Sequence, residues 1–287
     1  MSEDVTPAIA WSGERAQRWV RMADELERQL APVSGLLFDA AELRSGERVL
    51  DVGVGTGPTT RQAASIVGPT GAVTGVDIAA EMLVAAADRP SDPDAAPIEW
   101  RQADVTTWQP EVEPYDVVMS RFGVMFFDDP VAAFTNLRRV TAPGGRLVIA
   151  VWAERTASPF FELPYSIVME HRRRWGVEME APSAEGGAFS LGDPAVAQDV
   201  LGRAGWAGVS SEPRPVLLAV GGGLPPADAA QVSLDVGPAR LVSEDLDENQ
   251  LAQVKDAVAE AYADRVDDEG HVLLEATPVI VTAHRPA

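Results

Sequence analysis

The chain has 287 residues, 46% of them hydrophobic, and is therefore long enough to bury a sizeable core. Its 23 basic and 44 acidic residues give a formal net charge of -21, a field that repels nucleic acid and anionic membrane surfaces. The absence of cysteine excludes disulfides, thiolate metal sites and a cysteine nucleophile, and we expect no metal site. The apolar runs are far shorter than a bilayer span, and residues 1–11 lack the pattern of a secretion signal, so we expect a soluble cytoplasmic protein.

The N-terminal region has the apolar spacing of amphipathic helices. Over residues 14–30, four apolar side chains fall on one helical face, with charges elsewhere. These side chains are Trp19, Met22, Leu26 and Leu30. A second, shorter helix is predicted from Pro32 to about Leu43.

From Gly46 onward, short apolar runs alternate with helical stretches. The runs predict strands at 48–52, 72–77, 97–104, 115–120 and 146–152. The stretches between them predict helices near 57–67, 79–88 and 129–140. Asp129 as N-cap and Pro130 at the first position mark the start of the last helix. This alternation predicts a doubly wound, parallel sheet covered by helices on both faces.

The alternation lapses after Trp152, where an aromatic helix and a loose Gly/Ser/Pro stretch predict an insertion over the sheet. A helix restarts at Pro194, with Asp193 as its cap and Gly205 as its stop. A closing pair of strands is predicted at 209–220 and 271–284, around a helical insertion at about 226–266. That insertion contains a capping box formed by Asp247 and Gln250. The fold class is therefore α/β, with a mostly parallel, Rossmann-like sheet of seven strands.

A glycine turn follows the first predicted strand, at Gly53, Gly55 and Gly57. Sheets of this topology bind ligands at the carboxyl ends of their strands, where glycines let the backbone approach closely and a helix N-terminus adds partial positive charge. A dinucleotide is disfavoured, because the third glycine comes one residue too early for its fingerprint. Asp51, two residues before the turn, is a poor neighbour for a pyrophosphate and a good one for an ammonium group.

Two further acids end the next strands. Asp77 lies twenty residues beyond Gly57, where a carboxylate can bind ribose hydroxyls. Asp104 is placed to accept from an adenine amino group, although an aspartate at a strand end is also a common turn former or cap. The apolar residues beside the two acids, which would pack on the adenine ring, are Ile78, Met82 and Val105. The site therefore requires a ligand with a ribose and a positive charge but no phosphate, and S-adenosylmethionine meets this description.

These segments resemble the class I S-adenosylmethionine-dependent methyltransferases, in the branch similar to the ubiquinone and menaquinone methylases. The resemblance is carried by residues 49–57, 73–83, 101–105, 115–130 and 137–152. It implies S-adenosylmethionine as cofactor, with the three glycines along its methionine part. It also implies Asp77 at the ribose, Asp104 and Val105 at the adenine, and the backbone of Ser120 at the amino group.

The pattern along the chain, together with this resemblance, predicts a division into four parts. These are a helical N-terminal lid at 1–45, the cofactor-binding core at 46–152, a cap insertion at 153–192, and the end of the core with its helical insertion at 193–287. In such enzymes the N-terminal helix closes over the cofactor, a role open to Trp19 or Arg18. For Trp19, core packing is the alternative.

Methyl transfer from a sulfonium is an in-line displacement, and it needs a base only when the acceptor carries a proton. His171, next to Glu170, is the candidate base; the alternative is a solvated histidine on a charged helix, because adjacent helical residues do not share a face. The following arginines, 172–174, could attract an anionic acceptor, but such a charge run is usually a solvated face, which is what we expect here. The candidates for the acceptor pocket are Trp19, Phe122, Phe126, Phe161 and Tyr165.

The leading hypothesis is a methyltransferase that modifies oxygen, nitrogen or carbon of a small, partly hydrophobic metabolite, in natural product biosynthesis. The alternative is a protein of the same fold that catalyses a cyclisation or rearrangement, or that only binds the cofactor. A nicotinamide-dependent oxidoreductase is disfavoured by the glycine spacing. The oligomeric state is left open, with a homodimer as one option.

Overall fold

The computed structural model of the protein describes residues 13–110, 113–179 and 187–287. The helices are α1 (Glu14–Arg21), α2 (Ala23–Ala41), α3 (Pro58–Val67), α4 (Ala80–Ala87), α5 (Pro130–Val140), α6 (Pro159–Trp175), α7 (Pro194–Arg203), α8 (Pro226–Asp235), α9 (Gly237–Leu241) and α10 (Glu248–Tyr262). The strands are β1 (Arg48–Val52), β2 (Ala72–Asp77), β3 (Ile98–Gln102), β4 (Tyr115–Arg121), β5 (Thr141–Trp152), β6 (Ala207–Pro213), β7 (Val216–Ala219), β8 (Leu273–Ala276) and β9 (Pro278–His284).

Seven strands form the central sheet, in the order β3-β2-β1-β4-β5-β9-β6. The first five run parallel, and β9 is antiparallel to both β5 and β6. The predicted doubly wound, mostly parallel sheet of seven strands is confirmed. The strand order reverses between β1 and β4, so the crevice of this fold lies at the carboxyl ends of these two strands.

The central strands form the core because they are covered on both faces, and their sequences are nearly continuous apolar runs. Val49, Val117 and Val151 are 0% exposed. A second apolar cluster joins the helical insertions to one another and to β8. Its fully buried members include Val168 of α6, and Val258 and Tyr262 of α10. The helices of the insertions therefore pack around a core of their own. This unit, formed by α6, α8, α9 and α10 with β8, is called the cap below.

The N-terminal helices divide at a different point from the one predicted. The break falls at Met22, and α2 then continues through Pro32 to Ala41. Pro32 is exposed, so the hydrogen bond that it cannot make is lost on the solvent side of the helix. The buried face of α2 carries Leu30 and Val33 on either side of the proline. Burial of this continuous face outweighs the local preference of proline for a helix start.

The sequence predicts one closing pair of strands, whereas the structure has two such pairs. Strands β6 and β9 complete the central sheet, whereas β7 and β8 form a separate two-stranded sheet. The division falls at Pro213 on one side and at Thr277 and Pro278 on the other. Proline cannot donate to a strand ladder. Thr277 instead donates its backbone N–H to Ser158 Oγ (2.9 Å), which directs the chain from the cap into the sheet.

The predicted helix signals are confirmed. Asp129 accepts from the Ala132 N–H (2.9 Å) and Asp193 from the Ala195 N–H (2.8 Å). The capping box at the start of α10 is complete. Strand β5 begins at Thr141, five residues earlier than predicted, before an irregularity in its pairing with β4.

Two predicted segments lie outside the described residues in whole or in part, namely residues 1–11 and the loose stretch that includes 180–186. The division of the chain into four parts stays a prediction. In the part of the chain that the structure describes, no helix has the length and apolarity needed to cross a bilayer.

Candidate functional site

The glycine turn after β1 is held against β2. Gly53, Gly55 and Gly57 have φ angles of 70, 55 and 74°, in the left-handed region that favours glycine. The Gly53 N–H donates to the Val76 carbonyl and the Gly55 N–H donates to Asp77 Oδ2, both at 2.8 Å. The turn then enters α3, for which Gly57 is the N-cap.

The three glycines have different surroundings. A β-carbon on Gly53 would lie 2.5 Å from the Gly123 Cα, and one on Gly57 would lie 2.3 Å from Cη2 of Trp100. No heavy atom of the residues that the structure describes lies within 4 Å of the corresponding position on Gly55. The protein itself packs against Gly53 and Gly57, whereas Gly55 borders open space that a ligand can enter.

Asp51 is 1% exposed and lies at the end of β1. Its Oδ2 accepts from the hydroxyls of Thr59 and Thr60 in α3, both at 2.7 Å. Among the described residues its buried Oδ1 has no hydrogen-bond partner. Burial raises the pKa of Asp51 to about 6, against the lowering effect of the hydroxyl donors and of the Arg121 charge. A buried carboxylate oxygen without a partner fits a ligand that carries an ammonium group.

Asp77 ends β2 and holds the glycine turn. Its Oδ2 accepts from the Gly55 N–H and its Oδ1 accepts from the Ala79 N–H (2.9 Å). Burial raises the pKa of Asp77, and these backbone donors oppose the rise. Asp77 therefore bonds to the turn itself, and Asp51 bonds to the first residues of α3, which follows the turn. The ribose contact of Asp77 stays a prediction.

The predicted adenine-binding residues have structural partners of their own. Asp104 is exposed, and its Oδ1 accepts from the N–H (2.9 Å) and the hydroxyl (2.7 Å) of Thr106, as in a turn. Val105 is buried, and its carbonyl accepts from Asn136 Nδ2 (2.8 Å). Ile78 is half-buried, just after β2. Binding of adenine by these residues stays a prediction.

Helix α1 packs against α4, the helix that follows β2. Met82 of α4 is 4% exposed and forms a small apolar cluster with Ala16 and Ala79, against which Trp19 packs. Arg18 Nη1 donates to the Asp235 carbonyl at the end of α8 (3.0 Å). Helix α1 therefore contacts both the core and the cap, and Trp19 packs in an apolar cluster.

Ser120 joins the ends of β1 and β4. It is 0% exposed, its hydroxyl donates to the Val52 carbonyl (2.7 Å), and the same oxygen accepts from the Gly123 N–H (3.1 Å). The side chain is thus fully used within the protein. Its backbone role toward a ligand stays a prediction.

The structure brings two of the five predicted pocket residues together. Phe122 has a φ of 66°, unusual for a residue with a side chain, and its ring stacks on Trp152 at 4.0 Å. Phe161 meets the same indole edge to face at 5.0 Å. Tyr165 instead lies 3.7 Å below the Arg155 guanidinium. Of the remaining two, Phe126 lies in a short 3-10 helix and Trp19 on α1.

The structure does not bring the predicted histidine and glutamate together. His171 Nδ1 lies 3.0 Å from the Ile167 carbonyl, and the ring meets Trp175 edge to face at 5.3 Å. Since a carbonyl only accepts, Nδ1 is the donor in this contact, which in the neutral ring leaves Nε2 as the acceptor. Glu170 is exposed and pairs with Arg174.

The prediction that residues 172–174 form a solvated face is wrong for Arg172. This side chain is 1% exposed and donates to both carboxylate oxygens of Asp245 (2.5 and 3.0 Å). It also donates to the Val242 carbonyl (3.2 Å). Arg172 thereby holds α6 against the segment before α10. A buried guanidinium needs such partners, whereas an isolated charge run in the sequence gives no sign of them.

Two residues near the glycine turn were missed in the sequence. Trp100 of β3 lies against the backbone of Gly57 and Gly75. Arg121, the last residue of β4, has a side chain that is 10% exposed and bonded to Glu27 of α2. A charged residue directly after a buried strand, at the carboxyl edge of the sheet, is the signal that could have identified Arg121. Across 13–110, 113–179 and 187–287, no three His, Asp or Glu side chains are grouped as a metal site requires.

Residues 49–145 match the family described as methyltransferase domain. The ubiquinone/menaquinone biosynthesis C-methyltransferase of Bdellovibrio bacteriovorus is 40% identical over 106 residues, which are 37% of this chain and 44% of that protein. The chain thus spans about half the length of the curated relatives it matches.

Solved structures share the fold over most of the chain. One is phosphoethanolamine N-methyltransferase 2 of Haemonchus contortus in complex with S-adenosylhomocysteine, with a TM-score of 0.52 and 16% identity, covering 99% of this chain and 59% of that one. Another is the [4+2]-cyclase SpnF, with a TM-score of 0.52 and 15% identity, covering 95% of each chain. At such identities the likeness shows the fold.

Proposed function

We propose that this chain, whose residues 49–145 are a methyltransferase domain of the class I S-adenosylmethionine-dependent type, transfers the methyl group of S-adenosylmethionine to a small, partly hydrophobic metabolite. One observation carries the proposal. Among the described residues, the β-carbon position of Gly55 borders open space, Asp77 bonds to the backbone of this glycine, and the buried Oδ1 of Asp51 at the end of β1 has no hydrogen-bond partner. This arrangement fits a ligand with an ammonium group and a ribose.

When bound, the cofactor supplies the chemistry, an activated methyl group on a sulfonium. The residues of the chain bind, orient and exclude water. The glycine turn and Asp51 would hold the amino acid end, and Asp77 would hold the ribose. Helix α1, packed on Met82 and bonded through Arg18 to α8, would cover the nucleoside end.

The acceptor is proposed to be a planar, largely apolar ring. The support is the aromatic wall at the carboxyl ends of β4 and β5, where Phe122 and Phe161 both meet Trp152. The name of the Bdellovibrio bacteriovorus relative, a quinone-pathway C-methyltransferase, supports a ring carbon as the methylated atom. A role in natural product biosynthesis and a cytoplasmic location belong to the same proposal.

His171 is the proposed base for acceptors that carry a proton. Its Nδ1–H is directed to the Ile167 carbonyl, which fixes the tautomer that leaves Nε2 free to accept. Glu170 takes no part in this proposal, because Arg174 is its partner.

The second candidate function is a cyclisation or rearrangement on the same fold. The likeness to SpnF, a cyclase by name, shows that methyltransferase-like folds also occur in cyclases. The two candidates differ in the fate of the cofactor, since a cyclase leaves its methyl group in place.

The test combines binding and transfer. Binding of S-adenosylhomocysteine is measured by calorimetry, and label transfer is measured with methyl-labelled S-adenosylmethionine and a panel of hydroxylated aromatic and quinone-type acceptors. Transfer of label supports the methyltransferase, and binding without transfer to any of the panel favours the cyclase. No binding at all contradicts both.

A matched pair of variants tests the location of the site. Among the described residues, Gly55 and Gly144 both have a positive φ and open space around the β-carbon position. Gly144, however, lies near the start of β5, at the amino ends of the parallel strands, whereas the glycine turn lies at their carboxyl ends. Gly55→Leu should abolish binding of S-adenosylhomocysteine, because the side chain fills the space beside the turn. Gly144→Leu carries the same backbone strain and should bind as the wild type does.

A further inference from the structure

Arg121 links the end of β4 to helix α2. Its Nη1 donates to Ser34 Oγ (2.5 Å) and its Nη2 donates to Glu27 Oε2 (2.8 Å). Ser34 and Glu27 are seven residues apart, two helical turns, so they lie on the same face of α2. With only 10% of its side chain exposed, Arg121 is held between this helix face and the sheet.

The strand register places Arg121 on the same side of the sheet as Asp51. Asp51 pairs with Met119 in the β1–β4 ladder, and Arg121 follows Met119 by two residues. Side chains two residues apart on a strand point to the same face. Two residues past Asp51, β1 has run into Gly53, which has no side chain to stand between the two charged groups.

We propose that Arg121 is a positioning residue for the cofactor: α2 fixes its guanidinium on the face of the sheet that carries Asp51, where its positive charge favours the carboxylate that binds the cofactor's amino group. The inference rests on the proposed function, because it assigns to Asp51 the binding of the cofactor's amino group. Arg121 itself acts through Asp51 and is not assigned a contact with the cofactor.

The charges around Asp51 support this role. Arg121 from β4 is the positive group that faces it and Asp77 from β2 is the negative one, while α3 presents only the hydroxyls of Thr59 and Thr60. Glu27 on α2 faces Arg121 and offsets part of its charge. Burial is the largest influence on Asp51 and raises its pKa, and Arg121 lowers it.

Loss of the Arg121 charge should therefore raise the pKa of Asp51 further and protonate it nearer to neutral pH. A protonated Asp51 no longer attracts an ammonium group. Binding should then fail at a higher pH than it does in the wild type.

The experiment is a titration of the full chain with S-adenosylhomocysteine by calorimetry, repeated between about pH 5 and 7, where Asp51 changes its charge and the ligand's ammonium group stays mostly protonated. In the wild type we expect affinity to fall with a midpoint near pH 6. In Arg121→Gln the midpoint should rise by about one pH unit. Arg121→Lys keeps the charge and should restore most of the wild-type profile.

Arg146 provides a matched control. It also ties α2 to the sheet, because it donates to the Ala41 carbonyl (2.7 Å) and pairs with Glu47 (2.7 Å), but it lies on β5 and is no part of the charges around Asp51. Arg146→Gln should lower stability and leave the pH midpoint of binding unchanged. Equal midpoints for Arg121→Gln and the wild type would overturn the proposal.

Glu27→Gln keeps the proposal testable if Arg121→Gln does not fold. It removes the negative charge that faces Arg121, so the midpoint should move below that of the wild type, and an unchanged or higher midpoint contradicts the inference. A wild-type chain that binds no S-adenosylhomocysteine at any pH would instead contradict the proposed function itself.

Discussion

The indole of Trp100 occupies the space into which a β-carbon on Gly57 would project. Cη2 and Cζ3 of the ring would lie 2.3 and 2.8 Å from that carbon. The same ring would lie 2.9 Å from a β-carbon on Gly75 of β2. A tryptophan on β3 therefore determines that two neighbouring positions are glycine, and through Gly57 it sets where α3 begins.

Gly57→Ala should destabilise the protein more than Gly55→Ala. Both substitutions force alanine into a left-handed φ, which costs about 1 kcal/mol in each case. Only the first also collides with Trp100, which adds about 1–3 kcal/mol of overpacking. Urea unfolding of the two variants measures the difference. Combining Gly57→Ala with Trp100→Leu should recover part of the loss, and equal costs for the two single variants would show that the ring does not restrict Gly57.

Asp51→Asn should make the stability of the chain less dependent on acid pH. The folded chain keeps the Asp51 proton up to about pH 6, whereas the unfolded chain releases it near the ordinary value of 3.8. Since the folded state binds more protons in this interval, the free energy of unfolding falls as pH rises through it, by about 3 kcal/mol. Well above pH 6 the buried carboxylate is ionised and this stability stays lost.

The difference in unfolding free energy between the wild type and Asp51→Asn, measured from about pH 4 to 7 without cofactor, isolates this effect from other groups. At pH 7 the variant should be at least as stable as the wild type and should bind S-adenosylhomocysteine more weakly. A difference that does not change with pH would contradict a raised pKa for Asp51.

The sequence predicted the parts of the site that depend on local pattern. The period of the strands, the glycine spacing and the acids at strand ends are short-range signals, and the structure places Asp51 and Asp77 at the turn as these signals imply. Contacts between distant segments carry no such signal. Glu27 and Arg121 are 94 residues apart in the chain, and the continuity of α2 through Pro32 depends on the core beneath it.

His171→Ala should lower turnover of an acceptor that carries a proton by about a hundredfold, because the general base is lost. The neighbouring Glu170→Ala should change turnover little, since that side chain is exposed and bonded to Arg174. Initial rates with a hydroxylated acceptor, at saturating S-adenosylmethionine, measure both. If His171→Ala keeps its rate within a few-fold, the histidine is a surface residue and the acceptor needs no base from this position.

Asp245→Ala should destabilise the cap by about 2 kcal/mol, because it leaves the guanidinium of Arg172 buried with only carbonyl partners. Asp199 provides the control, since its pair with Arg203 is exposed on both sides and should contribute little. Arg172 holds the pKa of Asp245 below its usual range, so this contribution persists at neutral pH and disappears only as pH falls through that lowered pKa. Urea unfolding at neutral pH compares the two alanine variants. Equal losses of unfolding free energy would contradict the role of Asp245 as the partner of a buried guanidinium.

Phe122→Gly should be more stable than Phe122→Ala, the reverse of the usual order. Both variants lose the stack on Trp152, but only glycine adopts the φ of 66° without strain, a gain of about 1 kcal/mol. Phe127, with a φ of -73°, is the control, and there the alanine variant should be the more stable. The same order at both positions, measured by urea unfolding, would show that the backbone at Phe122 is not strained. Phe122 belongs to the aromatic wall that is proposed to bind the acceptor. Both Phe122 variants should therefore raise the KM for the acceptor and leave the affinity for S-adenosylhomocysteine unchanged.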